Sequence, residues 1–208
     1  MEISEIIILG LIFYIIGSIP FAYLIPRLYG IGDIRKIGSG NVGATNVLRA
    51  GNKKIAAIVL LLDILKGFFP FLYFKNLNNI NEIFYVEFSN AILIYFLAAL
   101  SIIGHLYPVW LKFKGGKGVA TYIGFLFGAN YILGIIFISS WLIVSIITKY
   151  SSLSSICSLL ILPLIIIIFF SFNIQVVCLF FVISGLIIFK HYTNILRLFN
   201  KTESKIRF

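Results

Sequence analysis

Charge is scarce in this chain. Only 12% of its 208 residues are Asp, Glu, Lys or Arg, whereas 61% are hydrophobic and the mean hydropathy is +1.08. A soluble domain carries about a quarter charged residues and about half apolar ones, so soluble enzyme folds, DNA-binding modules and disordered tails are excluded. Cysteine is nearly absent as well. Cys157 and Cys178 lie in apolar runs without CxxC or Cys/His spacing, which argues against a disulfide framework or a zinc site. There is no HExxH, no GxSxG elbow and no close cluster of aspartates for a divalent metal. The N-terminus opens on Glu2 and Glu5 instead of a basic region, and no small-x-small site follows, unlike a cleavable signal peptide.

What is present is long apolar runs. At about 20 residues per spanning helix, the expected fold is an all-α integral membrane protein, a single polytopic domain over residues 1–208. The net charge of +10 would suggest nucleic acid in a soluble protein. In a membrane protein the positive-inside rule accounts for it, and no nucleic-acid partner is expected. Arg27, Arg35, Lys36, Arg49, Lys53 and Lys54 form a first basic group, and Lys112, Lys114 and Lys117 a second. Lys149 stands alone, and Lys190, Arg197, Lys201, Lys205 and Arg207 close the chain. Placing all of these on the cytoplasmic face predicts about seven transmembrane helices, some short or re-entrant, with the N-terminus outside and the C-terminus inside. The first helix is expected over about residues 3–28. Residues 118–148 are short for two spans and should turn near Gly128-Ala-Asn130. A polar loop is expected over Lys75–Glu82, with Glu82 and Glu87 outside, and another turn at Ser171-Phe-Asn173. Asp63 and Lys66 fall inside an apolar run, three residues apart and so on one helical face. Such a pair is costly in a membrane and faces a partner or a polar cavity.

The polar residues gather in a few cytoplasmic segments. Gly38-Ser-Gly-Asn-Val-Gly-Ala-Thr-Asn-Val-Leu-Arg49 combines turn-forming glycines with Ser39, Asn41, Thr45 and Asn46 as hydrogen-bonding groups. That is the composition of a phosphate-binding nest, and Arg49 adds a planar, permanently charged fork. Gly38, Gly40 and Gly43 also spell GxGxxG, but a dinucleotide site needs a preceding strand, and an apolar helix stands there instead. A second segment, Gly104-His-Leu-Tyr-Pro-Val-Trp-Leu-Lys-Phe-Lys-Gly-Gly-Lys-Gly-Val-Ala-Thr121, sets Lys114 and Lys117 among glycines without the spacing of a nucleotide P-loop. His105 reads first as a structural hydrogen-bonding group. Ser152 reads as a helix N-cap, and His191, Asn194 and Arg197 share a helical face. The bland alternatives are a glycine-rich connector, topological lysines and an interfacial basic helix. With Asp33 and Glu203 the only cytoplasmic acids outside the apolar runs, Mg²⁺-dependent phosphoryl transfer is disfavoured. Trp110 and Leu196 stand five residues after the two histidines, so neither begins a His-x4-Asp dyad.

These segments resemble the signatures of the bacterial acyl-phosphate:glycerol-3-phosphate acyltransferase family (PlsY). The likeness runs through Gly17-Ser-Ile-Pro20, Ser39–Arg49, Asp63-Ile-Leu-Lys-Gly67, Gly104–Thr121, Ser152-Leu-Ser-Ser155 and His191-x-x-Asn194-x-x-Arg197. Tyr107, Tyr192 and Asn200 depart from it, standing where a Phe, a basic residue and a Gly are usual. The resemblance implies transfer of an acyl chain from acyl phosphate to the 1-hydroxyl of sn-glycerol 3-phosphate, in phospholipid biosynthesis at the bacterial inner membrane, with the active site toward the cytoplasm. It implies that Ser39, Gly40, Asn41, Gly43, Thr45 and Asn46 bind acyl phosphate, and that Arg49, Lys117, Ser155, His191 and Asn194 hold glycerol 3-phosphate. Ser39, Arg49, Lys117, His191 and Asn194 would be catalytic, with Asp63, Lys66, His105 and Lys114 supporting. No cofactor or metal is expected, membrane lipid is the surroundings, and a monomer suffices. The rival class is a membrane transporter of a small phosphorylated solute. Against it stand the missing internal repeat and the concentration of polar groups at one face. A purely structural membrane subunit would leave the glycine-rich loops unexplained.

Overall fold

The computed structural model describes residues 1–78, 88–170 and 172–206. All the regular structure there is helical: α1 (Ile3–Ser18), α2 (Phe21–Leu28), α3 (Ala44–Arg49), α4 (Lys53–Asn78), α5 (Phe88–Leu106), α6 (Val119–Ala129), α7 (Tyr131–Thr148), α8 (Ser151–Phe169), α9 (Ile174–Lys190) and α10 (Tyr192–Phe199). A short 3₁₀ turn at Ile34–Lys36 precedes the first glycine-rich segment, and one at Val109–Leu111 lies within the second. Among the described residues four helices are long and apolar enough to cross a membrane, or six if each bent pair is one span. A count of seven requires the short apolar α6 as the remaining pass.

The helix breaks follow local chemistry. The single helix expected over residues 3–28 is two, α1 and α2, bent by 44°. Pro20 lacks the N–H needed to continue the α1 ladder and restrains the residue before it from helical geometry. The turn expected in 118–148 lies at Asn130, whose side chain accepts the Ile132 N–H at 2.8 Å and caps α7. That leaves α6 with 11 residues and α7 with 18, one short helix and one of full spanning length. Of the polar loop expected over Lys75–Glu82, residues 75–78 instead continue α4, where the chain stays helical to Asn78; the rest, with Glu82 and Glu87, lies outside the described residues, as does Ser171.

Close helix approach depends on glycine. A methyl on Gly67 would meet the Thr121 carbonyl oxygen at 1.9 Å, and one on Gly124 would meet the Ile64 carbonyl at 1.8 Å. Here α4 and α6 touch backbone to backbone, in the manner of small-residue contacts between membrane helices. Gly17 and Gly104 do the same for α1 and α5, against the Ser101 and Tyr14 carbonyls. The main core is an edge-to-face aromatic cluster in which Phe71, Tyr95, Phe125 and Phe180 meet at ring separations from 5.1 to 6.2 Å. A second, smaller core of Ile34, Val42, Val47, Ile55 and Val59 seats the first glycine-rich loop on α4.

Candidate active site

The first loop is held open by its own residues. Gly38 and Gly40 adopt φ of 57° and 69°, and a methyl on Gly38 would meet Asn46 Oδ1 at 2.5 Å. Asn46 is buried, and its amide nitrogen donates to the Ile34 and Ile37 carbonyls, each at 2.9 Å. Its oxygen accepts the Ser39 N–H at 2.9 Å. Asn46, expected to grip a phosphate, has its hydrogen-bonding groups engaged in clamping the loop. Ser39, Gly40 and Asn41 are left lining a cavity of about 660 Å³. Gly43 is the extended N-cap of α3, and Thr45 is exposed on that helix beside this stretch.

The second loop forms the facing wall. Lys112, Lys114 and Lys117 line the same cavity, joined by Arg35, Lys190 and Arg197. Arg35 is paired with Asp33 at 2.6 Å. Lys190 donates to the Leu106 carbonyl at 2.9 Å and sits 4.4 Å from the centre of the Tyr107 ring. The departure from Phe at position 107 leaves that ring contact in place, since a tyrosine face also attracts a cation.

Behind Lys117 lies a chain of polar contacts that begins in the tail. Lys117 donates to Asn194 Oδ1. Asn194 in turn donates to Glu203 Oε1 at 2.7 Å, Ser152 donates to the same oxygen at 2.9 Å, and Arg197 Nε binds Oε2 at 2.7 Å. Burial pushes the Glu203 carboxyl up, but the hydrogen bonds from Arg197, Asn194 and Ser152 outweigh it and hold it below its ordinary value. Arg49 reaches the Ser204 carbonyl at 3.4 Å, and the Ile206 N–H closes on Lys149 at 2.7 Å, which fastens the tail to the loops. Burial lowers Lys117 to about 8, with Arg197 and Arg49 adding to the shift and Glu203 opposing it. Burial also lowers Arg49 from its ordinary value.

His191 sits at the junction of α9 and α10, its Nδ1 2.8 Å from the Ile187 carbonyl. A carbonyl only accepts, so Nδ1 carries the proton and Nε2 is bare. Ser152 is not the N-cap of α8, since Tyr150 holds that position. Ser155 is buried and does not line the cavity; its hydroxyl donates to the Ser151 carbonyl at 2.9 Å and receives Trp141 Nε1 at 3.1 Å. Asp63, Lys66 and His105 form a buried cluster beneath the two loops. Sequence reasoning gave Glu203 no role at the site and read Lys190 only as a topological charge. The Thr202-Glu203 pair was the available signal, because a lone acid in a basic tail needs a partner.

The sequence profile described as glycerol-3-phosphate acyltransferase matches residues 7–201. The chain is 48% identical to the glycerol-3-phosphate acyltransferase of Bartonella quintana (strain Toulouse) over 93% of its length and 88% of that protein. The chain belongs to the glycerol-3-phosphate acyltransferase family. It is 44% identical to the Pelagibacter ubique (strain HTCC1062) member over 98% of both chains. Among solved structures it resembles the integral membrane glycerol 3-phosphate acyltransferase PlsY (YgiH) in its glycerol 3-phosphate form. The TM-score there is 0.86 at 36% identity, covering 98% of this chain and 96% of that one. The lysophosphatidic acid form of the same enzyme gives 0.83 at 35% identity. This chain is thus an integral membrane acyltransferase, as the resemblance of its loops implied.

Proposed function

We propose that the enzyme moves the acyl chain of an acyl phosphate to the 1-hydroxyl of sn-glycerol 3-phosphate, releasing lysophosphatidic acid and phosphate at the cytoplasmic face of a bacterial inner membrane. The observation that carries this reading is the cavity itself. It is walled on one side by Ser39, Gly40 and Asn41 and on the other by Lys112, Lys114, Lys117, Lys190 and Arg197. Both substrates bear phosphate, and its volume is that of an ordinary small-ligand site.

The acyl phosphate lies against Ser39, Gly40 and Asn41, with Gly43 and Thr45 at the edge of this stretch. Lys117 and Arg49 hold the phosphate of the acceptor, with Asn194 and His191 orienting it. Ser155 supports this group from behind through the turn that carries Ser152. The acceptor hydroxyl oxygen attacks the acyl carbonyl carbon, the bond from that carbon to the phosphate oxygen breaks, and phosphate leaves. The hydroxyl proton passes to a substrate phosphate oxygen. Phosphate is a good leaving group, so positioning and fixed positive charge supply most of the rate. A pH–rate profile governed by one side chain, and abolished by changing only that residue, would overturn the substrate-proton route.

The test is phosphate release by the purified enzyme in lipid or detergent with palmitoyl phosphate and glycerol 3-phosphate, with and without EDTA. Release that needs both substrates, survives EDTA and yields lysophosphatidic acid is the expected result. A folded sample that releases none, yet carries glycerol 3-phosphate into sealed vesicles without acyl donor, would return the transporter reading.

A further inference from the structure

Beneath the cavity, and outside the proposed substrate contacts, Lys66 has three acceptors at hydrogen-bonding distance. They are Asp63 Oδ1 at 2.8 Å, the Ile19 carbonyl at 3.0 Å and His105 Nδ1 at 3.0 Å. An ammonium group has three N–H donors and no acceptor; it donates hydrogen bonds to the Ile19 carbonyl and to His105 Nδ1, and holds Asp63 as an ion pair. Lysine only donates, so the 3.0 Å contact requires a bare Nδ1 on His105 and puts the ring proton on Nε2. The alternative bond, from His105 Nδ1 to Asp63, spans 3.6 Å and is too long. The ring's Nε2 edge abuts Gly116: a methyl there would meet Nε2 at 2.1 Å and the Val42 carbonyl at 2.5 Å. The Gly116 N–H also donates to the His105 carbonyl at 3.1 Å. Gly116 therefore lies between the ring and the first loop, one residue before Lys117 and three beyond Ser39 on the facing side at Val42.

We propose that Lys66 is a positioning residue for acyl transfer: by its hydrogen bond to His105 Nδ1 it holds the ring packed against Gly116, keeps Gly116 against Val42, and so sets the distance between the two phosphate-binding loops. The inference rests on the acyl-transfer reading for its kinetic part alone. The same ammonium binds the last turn before Pro20, which ties the α1–α2 bend to the loops.

The chain has two histidines, and the geometry gives them opposite tautomers, Nε2–H at His105 and Nδ1–H at His191. Nitrogen NMR of ¹⁵N-histidine-labelled enzyme should show one of each, with the Nε2–H set lost in His105→Gln. A protonated Nδ1 on His105 would overturn the proposal. Kinetics then separate positioning from bulk stability. Lys66→Met leaves Asp63 buried without its cation and should lower the thermal midpoint, whereas Asp63→Asn/Lys66→Met removes both charges and relieves that defect. In the double variant KM for glycerol 3-phosphate should still be raised ~10-fold or more, because the loops are no longer set. A KM that returns to the wild-type value in the double variant would make the cluster purely structural and the proposal wrong. Absence of acyl transfer by the wild-type enzyme would overturn the functional reading, while the tautomer assignment would stand on the NMR result.

Discussion

A lysine grips a phosphate dianion most strongly when it is partly stripped of water, and the same stripping makes its proton easier to lose. Lys117 is in that position, lowered to about 8 mainly by burial. The sign is direct: as pH rises through about 8 the free enzyme loses the ammonium and with it affinity for the acceptor phosphate. The expected outcome is a kcat/KM for glycerol 3-phosphate that falls above about pH 8. The limb should be weaker in kcat, since bound phosphate restores the proton. Lys117→Ala should lower kcat/KM by about 100-fold or more, whereas Lys75→Ala at the exposed end of α4 should leave it unchanged. Equal losses in a steady-state assay of both would mean that general membrane charge was being read as a site. Glu203→Gln tests the tail. Without its charge the carboxylate no longer organises Arg197, Asn194 and Ser152 together, and the cost is about 1–3 kcal/mol. The readouts are a lower thermal midpoint and a raised KM, since Asn194 then holds Lys117 less firmly. At this scale the sequence was only partly readable. Residue types pointed to the two glycine-rich loops, and Ser39, Lys114 and Lys117 do line one cavity between them. They did not tell which polar groups would be consumed internally. Asn46 and Ser155 look like ligands in the chain, but their partners are the Ile34, Ile37 and Ser151 carbonyls, which pattern alone does not reveal.

Helices were easier to read than their breaks, because long apolar runs announce a helix and only one or two residues decide where it stops. Pro20 was visible in the chain, yet the apolar run continues through Leu28 and hides the 44° bend. Asn130 announced its turn more clearly, since a capping amide lies between two apolar stretches. The glycines are the converse case. Gly67 and Gly124 read as neutral residues in apolar helices, and only the packed pair α4 and α6 shows that a side chain would strike a carbonyl oxygen. Gly124→Ala must push α6 away from α4 or distort both, with an overpacking cost of about 1–3 kcal/mol. Because α6 follows directly from Gly118 and the Lys117 loop, the displacement should also raise KM for glycerol 3-phosphate. Gly185→Ala, where a methyl meets nothing within 4 Å, should change neither the thermal midpoint nor the kinetics.

For the whole molecule the decisive fact is asymmetry. The cavity, both glycine-rich loops, α10 and the basic tail gather at one end of the helices, while the apolar faces of α7 and α8 are exposed along their lengths, through Ile143, Ile147, Ile161 and Ile168 among others. Such faces belong in lipid, and the positive-inside rule predicts that the basic end faces the cytoplasm. The separation of basic segments from apolar runs was legible in the charge pattern, since it needs only residue counts along the chain and no knowledge of contacts. The orientation predicted from this asymmetry is open to direct measurement. In a Cys157→Ala/Cys178→Ala background, Ser4→Cys near the N-terminus and Lys205→Cys in the tail should report opposite faces. A membrane-impermeant maleimide applied to intact cells should label position 4, and position 205 only after the membrane is opened. Labelling of position 205 in intact cells would place the cavity on the outer face. The positive-inside assignment would then be wrong, and so would a supply of acyl phosphate from the cytoplasm.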